Sequence, residues 1–504
     1  MSNQPQLEQL IQEYLEGQAS PDQVAELNDL LRTDAAARRR FREMLNLDSA
    51  IAEAVAAYAP NGEVRPADEM TKSAATVCAQ PIDAARRSRR GNLTWAGVIL
   101  AVAASVLAVA GSLVWLAEAP DCATVINAAG VGDLAAGMTI KSETYHIQAG
   151  TVELVTKLGA RVVIEAPASF RFESIQRLQL EYGRLAADVP PSAHGFAVIT
   201  PTGQAIDLGT KFGVDMPQHG EAEIHVFQGE VIAQSTDGGT LKNLKNGQAF
   251  RLQSEVGTPS TFRSAAFILP GEVDALNAAL TAGQPARSRV ALQQLRDDPA
   301  LIALLDFESK EAQPGVYRKV QGRWPGSQAA EFVNVGDHMK LDVGGEQDWP
   351  QVTLAAWVRL DQLGEPFHSL LHADGWEEEQ GKVHWMVTDL MTMRLALFDV
   401  TLDPPVAPFP DSKTSVLPEQ GRWVHLAVTY DADAKRARFY LNGRFDNEVT
   451  LGQTFRARFG SAQIGNWNRI DRTLSGRVDE MLILGRAMSD DEVKALFDAG
   501  NPYR

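Results

Sequence analysis

Leu93 to Leu116, LTWAGVILAVAASVLAVAGSLVWL, contains no charged side chain, and the rest of the chain is read from its position on either side of this run. A helix rises ~1.5 Å per residue and the hydrocarbon core of a bilayer is ~30 Å thick, so about 20 apolar residues are enough to cross it. The run is therefore expected to form a transmembrane helix in contact with membrane lipid, with Trp95 and Trp115 near its interfacial ends. A buried helix of a soluble protein is seldom this long without a charge. A cleaved signal peptide is the other reading, because Ala117-Glu118-Ala119 has the small-x-small form. The apolar run exceeds the about 7–15 residues of a signal-peptide core, however, and a long segment precedes it. Arg86, Arg87, Arg89 and Arg90 lie just upstream, whereas Glu118 and Asp121 follow and the next cation is Lys141. This asymmetry predicts a single-pass protein of the cytoplasmic membrane, with its N-terminus in the cytoplasm and its C-terminal part periplasmic or otherwise exported.

The chain has 504 residues, 45% of them hydrophobic, which is material for several domains. A net charge of −17 argues against non-specific nucleic-acid binding. Cys78 and Cys122 fall on opposite sides of the expected membrane and cannot pair within one chain. The exported part is thus expected to fold without disulfides. Cys122 is either a spectator or a cross-link within a homodimer.

Residues 1–58 read as a small helical domain. Leu7, Leu10, Ile11 and Tyr14 recur at helical spacing, and Ser20-Pro21-Asp22-Gln23 has the form of a capping box opening a second helix that carries Leu27 and Leu31. These apolar stripes either bury one another or leave a face for a partner. Residues 59–92 are polar and arginine-rich, a flexible tether. Beyond the run the periodicity changes to alternation, as in Thr151-Val152-Glu153-Leu154-Val155 and Arg161-Val162-Val163-Ile164-Glu165, which predicts a β domain over 123–255. Gly183 and Gly229 interrupt strands and mark bulges or close backbone approach. Residues 256–298 form a connector of two short helices divided by Gly283 and Pro285. Strand-like runs resume from 299 to 504, with a type I′ hairpin signal at Asn442-Gly443 and a capping box at Ser489-Asp490-Asp491-Glu492, whose helix Gly500 closes.

Three segments carry a family resemblance. EGQASPDQVAEL and LRTDAAARRRFREML look like the cytoplasmic helical domain of FecR-type sigma-factor regulators, without the zinc-binding His and Cys pairs of one anti-sigma class. APASFRFES, LEYGRLAADVP, GFAVITPTGQAIDLGTKFGVD, IHVFQGEVIAQ and LKNGQAFRL stand in the order of the FecR domain itself. VTLAAWVRLD, WVHLAVTYDADAKRARFYLNG and SGRVDEMLILGRAMSDDEVKALFDAG resemble the LamG-like, concanavalin A-like jelly roll. The expected fold class is therefore multidomain: a small all-α domain, one transmembrane helix, an all-β FecR-type domain and an all-β jelly-roll sandwich.

The resemblance implies a regulator of an extracytoplasmic-function sigma factor, with Leu7, Leu10, Ile11, Tyr14, Leu27 and Leu31 as the partner-binding face. It also implies a glycan or protein ligand for the jelly roll, with Trp376, Trp385 and Trp467 as sugar-stacking candidates weighed against core packing. No catalytic role is expected. The Glu-x-Asp pairs Glu272-Val273-Asp274 and Glu346-Gln347-Asp348 lack the second glutamate of retaining hydrolases, and the adjacent Asp479 and Glu480 are expected on opposite faces of a strand. His194, His219 and His225 read as ordinary strand or loop residues. No cofactor is expected, although Glu377-Glu378-Glu379 or the Asp431 to Asp433 turn could hold calcium instead of being solvated. An envelope adhesion or carbohydrate-binding protein without a sigma-factor partner is the alternative.

Overall fold

A computed structural model describes Gln23 and residues 120–503, apart from 254–255, 310–312, 364–366, 398–408 and 467–473. The alternating runs fold as strands. Thr151–Thr156, Arg161–Ser174 and Arg177–Asp188 pair antiparallel in sequence order, and they belong to a 14-stranded sheet that makes up the first β domain. Every second side chain turns inward, so Val162, Ile164, Phe170, Leu185, Phe212, Val214 and Ile224 share one buried core. Gly183 has φ +124°, and a Cβ there would lie 2.5 Å from that of Ala168, where the register between the two long strands shifts. The glycine is thus a bulge position with a close backbone approach, as its place in the sequence predicts.

The connector divides its packing between two bodies. Helix α1 (Val273–Thr281) sets Val273 against Ala129 and Val163 of the first domain. Gly283, with φ 72°, ends that run, and α2 (Gln284–Arg296) buries Leu292 and Leu295 against Leu482, Leu484 and Val493 of the second domain.

That second domain is a jelly roll made from an eight-stranded and a six-stranded sheet. Val358, Leu426, Phe439 and Ile483 from one sheet meet Leu371, Trp385, Leu395 and Phe459 from the other. Each large apolar side chain buried in this way contributes roughly 1.5–3 kcal/mol. Asn442 and Gly443, at φ 50° and 68°, join Arg436–Leu441 to Arg444–Thr450 in the expected hairpin. The capping box at Ser489 is formed, and it opens α3 (Asp490–Gly500). Gly500 closes that helix as its last residue, and its missing Cβ also leaves room for the Trp357 indole, which would otherwise be 2.7 Å away.

The expected fold class needs correction. The described chain is mostly β sheet with three short α-helices, and among the described residues no helix is long and apolar enough to cross a membrane. The longest of them, α2, has 13 residues and reaches only about 20 Å at ~1.5 Å per residue, short of the ~30 Å a span requires. A transmembrane helix is therefore not supported. The run 93–116 and the N-terminal helices expected over 1–58, with Leu7, Leu10, Ile11, Tyr14, Leu27 and Leu31, lie outside the described residues.

Candidate functional site: a charged junction between two sheets

Strand alternation places Ile164, Leu185, Val214 and Ile224 in the first domain's core and turns their neighbours Glu165, Arg184, Asp215 and Glu223 to the other face. These four are cross-strand partners in succession, and Arg251 continues the row beyond Glu223. The jelly roll carries a second row built in the same way: Arg318 opposite Glu331, Glu331 opposite Arg477, and Arg477 opposite Arg359.

The two rows meet face to face. The Arg184 Nη2 donates to both Glu331 oxygens at 2.8 and 2.9 Å and to Asp215 Oδ2 at 3.0 Å. Arg477 Nη1 reaches Glu165 Oε1 at 2.6 Å, and its Nε reaches Glu331 Oε1 at 3.2 Å. Arg318 Nη2 lies 2.9 Å from Asp215 Oδ2 and 2.6 Å from Glu331 Oε2. Arg263 bridges Asp215 and Glu223 at 3.1 and 2.9 Å, while Arg184 and Arg477 both donate to the Ala266 carbonyl. Glu331 is 0% exposed, Glu165 3% and Arg184 6%, so the bonds among them and Arg477 are dry, whereas the Arg318 side chain, 27% exposed, forms the edge of the set. Bonds of this type depend steeply on geometry and fix one register of the two sheets.

Burial sets the protonation of this junction. It pushes Glu165 up to about 7 against the opposing pull of Arg184, and Asp361 up to about 6 against Arg359. Burial acts on Asp215 and Glu331 in the same sense, but Arg184 and Arg318 outweigh it and hold both carboxyls below their usual range. Glu165 and Asp361 bind protons more tightly when folded than in the unfolded chain, where about 4.3 and 3.9 apply. Their linkage therefore favours the fold as pH falls from about 7 towards about 4.5, whereas the buried His225, His372 and His425, whose proton affinity burial lowers, oppose it below about 6.5, and Asp215 and Glu331 oppose it below about 4. Thermal melts between pH 8 and pH 5 should accordingly show the Tm of wild type gaining on that of Glu165→Gln as pH falls. A Tm difference between the two proteins that does not change with pH would remove Glu165 as a source of the linkage.

The residues singled out in the sequence fall elsewhere. Trp385 is fully enclosed in the jelly-roll core, with 0% exposure. Trp376 is half-buried at the end of the six-stranded sheet; its indole Nε1 donates to the Ala396 carbonyl at 3.3 Å, and its ring lies 5.2 Å from that of His384 and 5.9 Å from that of Phe409. Trp467 lies outside the described residues. The structure does not bring Trp376 and Trp385 onto one open surface. His194 and His219 are exposed, whereas His225 is fully buried beside Glu223, and burial lowers its proton affinity. Asp479 and Glu480 do not point apart as their adjacency predicts. Glu480 has φ 55° at a register shift, and both carboxylates turn to the buried Arg323. Among the described residues no group of His, Cys, Asp and Glu is arranged to hold a metal. The charged rows themselves went unread in the sequence. Their trace is a charge at the outward position of largely apolar strands, as at Glu165 in VVIEAP and Asp215 in FGVDMP.

Residues 334–494 match the Laminin_G_3 family of the concanavalin A-like lectin/glucanases superfamily, so the C-terminal body is a jelly roll of LamG-like type. Residues 147–232 match the FecR protein family. The chain is a FecR-type protein with a C-terminal LamG-like jelly roll. No curated protein matches it. Among solved structures it is similar to the receptor binding domain of botulinum neurotoxin D, at 12% identity and TM-score 0.32 over 40% of this chain and 52% of that one. The binding domain of Paraclostridial Mosquitocidal Protein 1 is similar at 16% identity and TM-score 0.29, over 39% and 47% of the two chains. The chain thus spans about half the length of these structures, and likenesses this low carry no argument.

Proposed function

We propose that this FecR-type protein regulates an extracytoplasmic-function sigma factor, with its exported LamG-like jelly roll binding a glycan or protein of the envelope. In this reading the FecR domain and the jelly roll act as one signalling body, and the N-terminal residues 1–58 engage the sigma factor. The observation that carries it is the buried junction in which Glu331 is bonded by Arg184, Arg318 and Arg477. Dry, multiply bonded pairs of this kind let a change imposed on one sheet reach the other without slack. A ligand then acts by favouring one arrangement of that body over another. The reading assigns no catalysis, in keeping with carboxylates at 479 and 480 that are engaged by Arg323.

The test is affinity capture from cells with the full-length chain, followed by identification of any bound sigma factor. Wild type should retain one, and the doubly substituted Leu10→Asp, Leu27→Asp chain should not, with circular dichroism confirming that helix content is kept. If both chains capture nothing while the jelly roll still binds envelope glycans, the protein is instead a carbohydrate-binding or adhesion protein. Digestion of any polysaccharide by the intact chain would overturn the non-enzymatic assignment.

A further inference from the structure

The connector helix α2 and the closing helix α3 pack side by side on the jelly roll, through Leu292, Leu295 and Val493, and leave an open trough of about 670 Å³ along their outer faces. Val290, Ala291, Met488, Ala495 and Leu496 line it, and the Val290 side chain is 61% exposed. We propose that a second copy of this chain covers the trough, its own α2 and α3 seated on those of the first about a two-fold axis at right angles to the helices.

The charges at the two ends of the trough point to this occupant. At one end Arg486 joins Asp298, just past α2, to Glu492 in the first turn of α3, at 2.8 Å to each. Two carboxylates share one guanidinium there, so that end has an acid in excess. Arg287 lines the other end, and its guanidinium bonds two neutral oxygens, Gln284 Oε1 at 3.0 Å and the Ala282 carbonyl at 2.8 Å. A cation is in excess there. Arg287 and Asp298 are roughly 16 Å apart at 1.5 Å per helical residue. A trough that is positive at one end and negative at the other is complementary to itself, and only with the second copy turned end for end. Arg287 of each copy then faces Asp298 and Glu492 of the other, the reciprocal contact that a two-fold interface requires. A partner carrying one sign of charge would meet like charge at one end. The Arg486 bridge also fixes α2 and α3 as antiparallel neighbours, and the turned copy sets each helix antiparallel to its counterpart. The four helices thus make a small bundle in which every neighbour is antiparallel and the helix dipoles oppose. Covering the trough takes Val290 of both copies out of water, which is the gain that drives association. This inference does not rest on the sigma-factor reading.

The experiment is sedimentation velocity of the full-length chain from about 1 to about 100 μM. Wild type should show a monomer–dimer equilibrium in that range. Val290→Asp places a carboxylate from each copy in the apolar trough and should raise the dissociation constant at least about tenfold. Arg287→Glu sets like charges opposite one another twice over and should do the same. Both side chains are exposed, so each variant should melt at the wild-type temperature. Val256→Asp, at a 60% exposed valine on an edge strand of the first domain, should leave the constant unchanged. The proposal is overturned if wild type stays monomeric at about 100 μM, in which case the trough is left to water or to another partner. It is equally overturned if Val290→Asp or Arg287→Glu dimerises as tightly as wild type, or if Val256→Asp weakens the dimer as much as they do, since the second copy then sits elsewhere.

Discussion

Glu331→Ala is expected to destabilise the protein by about 3–5 kcal/mol, a large fraction of the stability of any domain. The Glu331 carboxylate is completely buried and accepts from three guanidinium groups, those of Arg184, Arg318 and Arg477. Truncation leaves those cations in a dry interface with one acid fewer, and Asp215 and Glu165 are already engaged by the same arginines. The penalty is therefore an uncompensated charge rather than a lost attraction, which is why the cost of breaking the set exceeds what the intact set contributes. Urea denaturation of wild type and variant measures it directly. Limited proteolysis adds a local readout, because loosening the two rows should expose the connector helices Val273–Thr281 and Gln284–Arg296 before either β domain unfolds. A loss under about 1 kcal/mol would mean that water reaches the arginines, and the junction would then not be the dry coupling the proposed function needs.

Much of the fold is legible in the sequence because it rests on local rules. The alternation at 151–155 and 161–165, the division of the connector at Gly283, the hairpin at Asn442-Gly443 and the Ser489 capping box all depend on residues close in the chain, and all appear in the structure. The junction was not legible, for a physical reason. A glutamate at the outward position of a strand looks the same whether water or another sheet lies above it. Glu165 and Arg477 are 312 residues apart, and nothing near either one names the other. Glu480 departs from its local reading for a related reason: its place answers to the charge of Arg323, distant in sequence. Only a matched inspection of outward charges across both β segments would have suggested that one sheet face completes the other.

The two tryptophans that sequence reasoning grouped together should separate in opposite ways. Trp385→Ala removes a fully enclosed indole from among Leu371, Leu395 and other residues that bind the two jelly-roll sheets, and should cost about 3–5 kcal/mol. Trp376→Ala empties a half-buried place over His384 and Phe409 and should cost about 1 kcal/mol, while lowering the affinity of the jelly roll for glycan if that rim stacks on sugar. Chemical denaturation and glycan binding measured on both variants make the separation visible: stability falls in one, affinity in the other. A Trp385→Ala protein as stable as wild type would remove that side chain from the core. A Trp376→Ala protein with undiminished glycan binding would leave the rim as packing and shift the search for the jelly-roll ligand to another face.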